Sequence, residues 1–346
     1  MTLPPGDEPQ AVQSAADLAA EAQTERWSGD DPHGTADAAT DATASAAEPL
    51  PADPLAHAPG PEEPPLFANF FQPEVRPPAR IPHLGHVALL LVYLLFGVVA
   101  TGIFVDLALH FHLFHVSSTE AALNDIHYTL GSEIILYLVA FALAYFTFPL
   151  IWHKSFFAGV QWNGATALRL RWRLIGTGCL CFLIAILNIL FVPGPANAPI
   201  EKIFKEPGAA WLLFAFGITA APFFEELFFR GFLLPSLCTA YDWLAEKFYH
   251  MPRRPLGPNG QPQWSFSAMA IASVVTSVPF GLMHAHQTGD SIDVVILLSC
   301  VSLVLCAVRL VTRSLASSVL VHAFYNFLLF SMMLLGTEGF KHLDKM

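Results

Sequence analysis

Seven long stretches of this chain contain no Asp, Glu, Lys or Arg: Val87–Phe104, Ile134–Trp152, Leu174–Val192, Ala209–Phe224, Ala268–Met283, Val294–Val308 and Leu315–Leu335. A bilayer crossing needs roughly 17–25 residues of helix, so the shorter runs need their flanks to complete a span. The runs are rich in Gly, Leu, Ala and Phe and lack the two-residue alternation of barrel strands. In lipid, only helices or closed barrels satisfy the backbone. The spacing therefore predicts an all-α, polytopic membrane helical bundle of about seven spans. Composition agrees: 54% of residues are hydrophobic, 13% are charged and mean hydropathy is +0.50, against roughly a quarter charged in soluble domains.

The formal net charge of −11 belongs to one end of the chain. Positions 1–75 hold fourteen acidic residues against the single Arg26; the other 271 hold fourteen acidic and sixteen basic ones. The Ala-, Pro- and acid-rich start has too little apolar surface to offset the entropy of ordering. Residues 1–80 are thus expected to be a disordered acidic tail and 81–346 the membrane domain. The start has no cationic stretch leading into an apolar one, so it does not read as a secretory signal. No basic block marks a nucleic-acid partner; the expected partners are the lipid bilayer and a membrane-associated protein or peptide. Cys179, Cys181, Cys238, Cys300 and Cys306 have no paired CxxC spacing and read as packing residues.

Lys and Arg in the short loops set orientation. With the N-terminus inside, inner segments carry Arg76, Arg80, Lys154, Arg169, Arg171, Arg173, Lys247, Arg253, Arg254, Arg309 and Arg313; outer ones carry Lys202, Lys205, Lys341 and Lys345. This bias predicts a cytoplasmic N-terminus.

Ionisable groups within spans are costly and point to function. The fourth span runs into Glu225 and Glu226, with Arg230 one turn beyond. Glu226 and Arg230 share a face and can pair. Glu225, rotated about 100° away, needs another partner. The fifth span ends in Phe280, one turn before His284; the seventh carries His322 and Asn326, again four apart. Together these residues supply what peptide hydrolysis needs: a carboxylate to take a proton from water, an imidazole to position it, and donors for an oxyanion. No HExxH, GxSG or GxGD is present. The readings outside proteolysis are a non-catalytic membrane scaffold or immunity protein that keeps this polar core for stability, and a small transporter relaying protons through the carboxyls. One tension follows from the expected topology, which puts His322 near the inner end of its span and His284 near the outer end of its own.

The set Glu225-Glu226-xxx-Arg230, Phe280-xxx-His284 and His322-xxx-Asn326 resembles the CAAX-protease and bacteriocin-processing (CPBP, or Abi) family of intramembrane proteases, over about residues 200–335. The resemblance implies a membrane-embedded glutamate endopeptidase, in a family also described as metalloproteases. Glu225 would be the base, His284 its water-positioning partner, and His322 with Asn326 the oxyanion hole. Glu226, Arg230 and Phe280 would support them. For the eukaryotic branch it implies cleavage after a prenylated cysteine in a CaaX terminus. No cofactor is assigned. Glu225, His284 and His322 are donor types that suit zinc, yet the two histidines lie 38 positions apart, and the reading taken is metal-free. A second group, Asp106, His110, His112 and His115, is read as interfacial, with a surface metal site as the other reading.

Overall fold

The computed structural model describes residues 79–113, 116, 118–191, 208–257 and 260–340, all within a compact unit spanning Val75–Met346. The expected acidic tail lies outside the described residues up to position 78. Seven helices long and apolar enough to cross a membrane organise the rest: α1 (Leu84–His110), α2 (Ile126–Trp152), α3 (Arg171–Phe191), α4 (Ala209–Phe248), α5 (Phe266–Met283), α6 (Ile292–Thr312) and α7 (Leu315–Gly336). Among the described residues there is no strand, only an isolated bridge between Leu256 and Pro262.

α1 packs on α2, α5 on α6, and α7 on α3 and α6, while α4 runs through the middle against α1, α5 and α7. Tyr93, Phe148, Trp152, Phe156, Phe232 and Leu315 form one aromatic core between α1, α2, α4 and the start of α7. A second core joins α3, α6 and α7 around Cys181, Leu305 and Val321. Large apolar side chains such as Leu95, Phe146, Leu150 and Phe191 point outward. In water that surface would be a liability, whereas lipid tails solvate it. Close approach between helices comes from small residues, as expected where apolar burial no longer drives association. A Cβ on Gly281 would lie 2.5 Å from the Val295 carbonyl oxygen, and one on Gly97 would lie 2.7 Å from that of Leu136.

The fourth span differs most from its expected extent. The uncharged run stops at Phe224, but the α4 segment continues to Phe248, 40 residues in all, with its helix interrupted at Thr219 (φ −123°, ψ −77°) between Ile218 and Ala220. It passes through the glutamates because Arg230 neutralises Glu226 within the helix, and it widens into a π turn over Leu227–Leu233. Its last turns carry buried Asp242, whose carboxylate accepts from the Ser265 amide (2.9 Å) and hydroxyl (2.5 Å) at the start of α5. Nearby, Arg80 is bidentate to Glu246 at 2.7 and 3.2 Å.

This anchoring resolves the tension over helix depth. Ser265 begins α5 beside Asp242, seventeen residues or about 26 Å along α4 from Glu225. α5 then runs back, and the nineteen residues from Ser265 to His284 cover about 28 Å. His284 therefore arrives level with Glu225. The start of α7 sits beside Gly231, where a Cβ would be 3.3 Å from Leu315 Cδ2. His322, seven residues on, rises about 10 Å to the same level. Three helices of unequal depth thus deliver their polar residues to one point.

Candidate active site

The site is built around consecutive glutamates that face different neighbours. Glu226 is fully buried; its Oε1 accepts from Arg230 Nη1 (2.8 Å) and faces His322 Nδ1 (3.0 Å). Nη2 of Arg230 donates to the Ser302 carbonyl (3.1 Å) and hydroxyl (2.5 Å) on α6, and its guanidinium lies 4.6 Å from the Phe280 ring centroid. Ser302 and the Phe280 ring support the guanidinium of this buried pair, while Arg230 Nε and Glu226 Oε2 have no hydrogen-bond partner among the described residues. The ring of Phe280 also sits edge-on to His322, 5.7 Å away, so it walls the charge cluster on one side.

Glu225 faces the two histidines. Its Oε1 is 3.9 Å from His284 Nε2 and its Oε2 is 3.8 Å from His322 Nε2. Both separations exceed a direct hydrogen bond; they leave the carboxylate close to both rings without being spent on either. The far nitrogen of each ring is tied down. α5 ends at Met283, where the His284 amide turns back to Gly281, and His284 Nδ1 takes the released Phe280 carbonyl at 2.9 Å. A carbonyl only accepts, so this Nδ1 carries the proton. In the neutral ring, Nε2 toward Glu225 is then an acceptor. His322 is likewise held through Nδ1, on Glu226, with Nε2 toward Glu225; unlike that of His284, this Nε2 donates when the ring carries both protons.

Asn326 lies one turn beyond His322, and its Nδ2 donates to the Gly217 carbonyl at 2.8 Å, tying α7 to α4. One amide hydrogen is thus used structurally and the other is left for a ligand. The geometry brings together Glu225, Glu226, Arg230, Phe280, His284 and His322, while Asn326 makes its one hydrogen bond higher on α4.

Three contributors escaped the sequence reading. Glu133 on α2, one residue before the uncharged run at Ile134, is half-buried and accepts from the Tyr137 hydroxyl at 2.9 Å. Tyr137 in turn stacks on Phe224, the residue before Glu225, with centroids 4.8 Å apart. A carboxyl at the edge of an apolar span was the available signal. Ser302 gave none, being one of two serines in an apolar helix. Arg309, counted from sequence with the inner loops, is instead buried at 1% exposure within α6.

Glu225, His284 and His322 have the donor chemistry of zinc ligands, and their outer nitrogens are oriented as such ligands require. Among the described residues, however, no three His, Cys, Asp or Glu side chains are spaced to hold a metal ion. The donors as placed do not fit one, and no step below runs through a metal. Of the outer histidine group, His115 lies outside the described residues, and His110 packs its ring edge-on to Phe111 at 5.1 Å.

Fold and site together define a multi-pass membrane protein with a carboxylate–imidazole centre enclosed by four of its helices. Residues 207–328, which carry all seven motif positions, match the family described as type II CAAX prenyl endopeptidase Rce1-like. Over that part the chain is similar to the CAAX-protease (CPBP) family of membrane proteases, which supports the resemblance carried by the motif residues. No curated protein and no solved structure matches the chain.

Proposed function

We propose that the protein is an intramembrane endopeptidase in which Glu225 activates water against a peptide bond of a membrane-associated substrate. The observation that carries this reading is the placement of Glu225 between His284 Nε2 and His322 Nε2, at 3.9 and 3.8 Å, with both outer nitrogens already engaged. A water beside Glu225 gives one hydrogen to the carboxylate and the other to His284 Nε2, leaving a lone pair for the carbonyl carbon. His322 in its doubly protonated form donates from Nε2, and Asn326 from its remaining amide hydrogen, to the oxygen that becomes negative. The proton held by Glu225 then passes to the leaving amine.

The match to a family described as prenyl endopeptidases makes a lipidated CaaX-type terminus the first substrate class to try. The test compares wild type with Glu225→Gln on a farnesylated CaaX peptide in detergent and in vesicles, and uses the same variant to trap bound substrate for identification. The expected result is release of the terminal peptide by wild type alone. Equal release by both proteins would overturn the role of Glu225. Proton or solute flux across vesicles that depends on Glu225, without peptide release, would favour a transporter.

A further inference from the structure

Arg309 lies in the last turn of α6, fully buried, and its hydrogen bonds go to carbonyls rather than carboxylates: Nε to Arg230 at 3.1 Å and Nη2 to Val160 at 3.4 Å. Placing a cation in the core of a bundle with only dipoles for company is unfavourable unless those dipoles have no other donor. The Arg230 carbonyl has none, for a reason that begins at Pro235. A proline ring inside a helix collides with the carbonyl four residues back, here that of Gly231, and α4 responds by widening into its π turn over Leu227–Leu233. In that register the Leu234 amide bonds the Phe229 carbonyl. The next amide, at 235, would serve Arg230, and proline has no N–H. Buried carbonyls without a partner are rare, and Arg309 supplies the missing donor.

The same helix also holds the Arg230 side chain. Ser302 and Arg309 are seven residues apart on one face of α6. Ser302 takes the guanidinium of Arg230 while Arg309 takes its carbonyl. Arg230 fixes Glu226, and Glu226 faces His322 Nδ1. Turns of this kind recur at functional sites, and this one begins directly after the glutamate pair.

We propose that Arg309 is a positioning residue of the active site: by donating to the Arg230 carbonyl that Pro235 leaves without a backbone partner, it fixes the π turn and the Arg230–Glu226–His322 chain, and with them the direction in which Glu225 faces the histidines. Its catalytic consequence rests on the reading of Glu225 as the base; its structural basis does not.

The decisive measurement pairs Arg309→Met, which keeps length and removes the donor, with Pro235→Ala, which restores an amide aimed at the Arg230 carbonyl. On the farnesylated CaaX peptide, Arg309→Met should lower kcat roughly 10- to 100-fold at unchanged KM, the scale expected when reacting groups are misplaced by about an ångström. Arg309→Lys, which keeps one donor, should recover most of the loss. Pro235→Ala added to Arg309→Met should bring kcat back to within about threefold, a coupling that independent sites do not show. Hydrogen exchange of the amides at 230–236 reads the same turn without any turnover; it should accelerate in Arg309→Met and slow again in the double variant. Equal kcat losses and equal exchange with and without Pro235→Ala would overturn the proposal, as would an Arg309→Met protein indistinguishable from wild type. If Glu225→Gln still cleaves, the base reading fails by itself, and the exchange data still decide whether Arg309 holds the turn.

Discussion

Glu225 and Glu226 are neighbours in sequence, yet a helix turns about 100° between them, and the bundle gives the two carboxyls opposite surroundings. Glu226 is enclosed with Arg230 and His322; Glu225 stands between imidazoles that do not bond it directly. Glu226→Gln leaves Arg230 as an unpaired buried charge, which costs about 3–5 kcal/mol when a buried pair is broken. Its folded yield and melting temperature in detergent should fall, while Glu225→Gln should melt like wild type and release no peptide; equal destabilisation of both would make both carboxyls structural. Asn326→Ala should cost on the order of 10²–10³ in turnover, as oxyanion donors do. It should also lower stability by about 1 kcal/mol through the lost bond to Gly217. Loss of stability without loss of turnover would reduce Asn326 to a tether between α7 and α4. The spacing of Glu225, His284 and His322 predicts that purified protein carries no stoichiometric zinc and survives dialysis against a strong chelator. One zinc per chain by elemental analysis, released in His284→Ala and His322→Ala, would overturn metal-free chemistry and leave the protease assignment standing.

At the scale of the element, each span was legible wherever charge is absent, because an uncharged apolar run has no other stable home. Seven such runs became seven helices. The spans were hardest to delimit where ionisable residues enter them. The uncharged run of α4 ends at Phe224, and the sequence carries the span on through Glu225, Glu226 and Arg230 without showing where it stops; the i, i+4 pairing lets the helix continue to Phe248. α2 begins at Ile126, a full two turns before its uncharged run, and so takes Glu133 into the bundle. The motif residues could be picked out because charged and amide groups stand out against Leu and Phe. Arg309 could not, since a basic residue after an apolar run is the ordinary mark of an inner loop. What sequence could not supply was relative depth, which depends on Ser265 docking on Asp242. The contact of α5 with α6 at Gly281 holds His284 in place and yields a separate prediction. Gly281→Val would drive side-chain atoms into the Val295 carbonyl and the Ser299 hydroxyl, an overpacking that costs about 1–3 kcal/mol. The variant should melt lower and lose turnover together, because His284 is three residues away. Unchanged melting would mean that α5 and α6 are not packed this closely.

For the whole molecule, helix lengths and loop charge carry one joint expectation. Beyond its break at Thr219, α4 runs from Ala220 to Phe248, about 44 Å against a hydrocarbon core of about 30 Å, so part of it must stand outside the apolar layer. The structure marks which part: beyond Pro235 the helix keeps Ser236, Cys238, Thr239 and Asp242 on its packed face, and Glu246 near its end is paired with Arg80. The same end of the bundle carries Arg253 and Arg254 after α4 and Arg313 after α6. Cationic flanks are retained on the cytoplasmic side during insertion, so the projecting end of α4 and the N-terminus are expected there, with the α5–α6 turn at Gly289 on the opposite side. Moving Arg309 from the loop count to the core removes one charge from the inner tally and leaves its excess intact. Single cysteines placed at Met251 and Gly289, in a background with Cys179, Cys181, Cys238, Cys300 and Cys306 replaced, read this directly in sealed vesicles of known sidedness. Met251→Cys should react with a membrane-impermeant maleimide only from the cytoplasmic face, and Gly289→Cys only from the other. The reverse pattern would invert the bundle and present the Glu225 site, together with the turn that lies level with His284, to substrates from the opposite compartment.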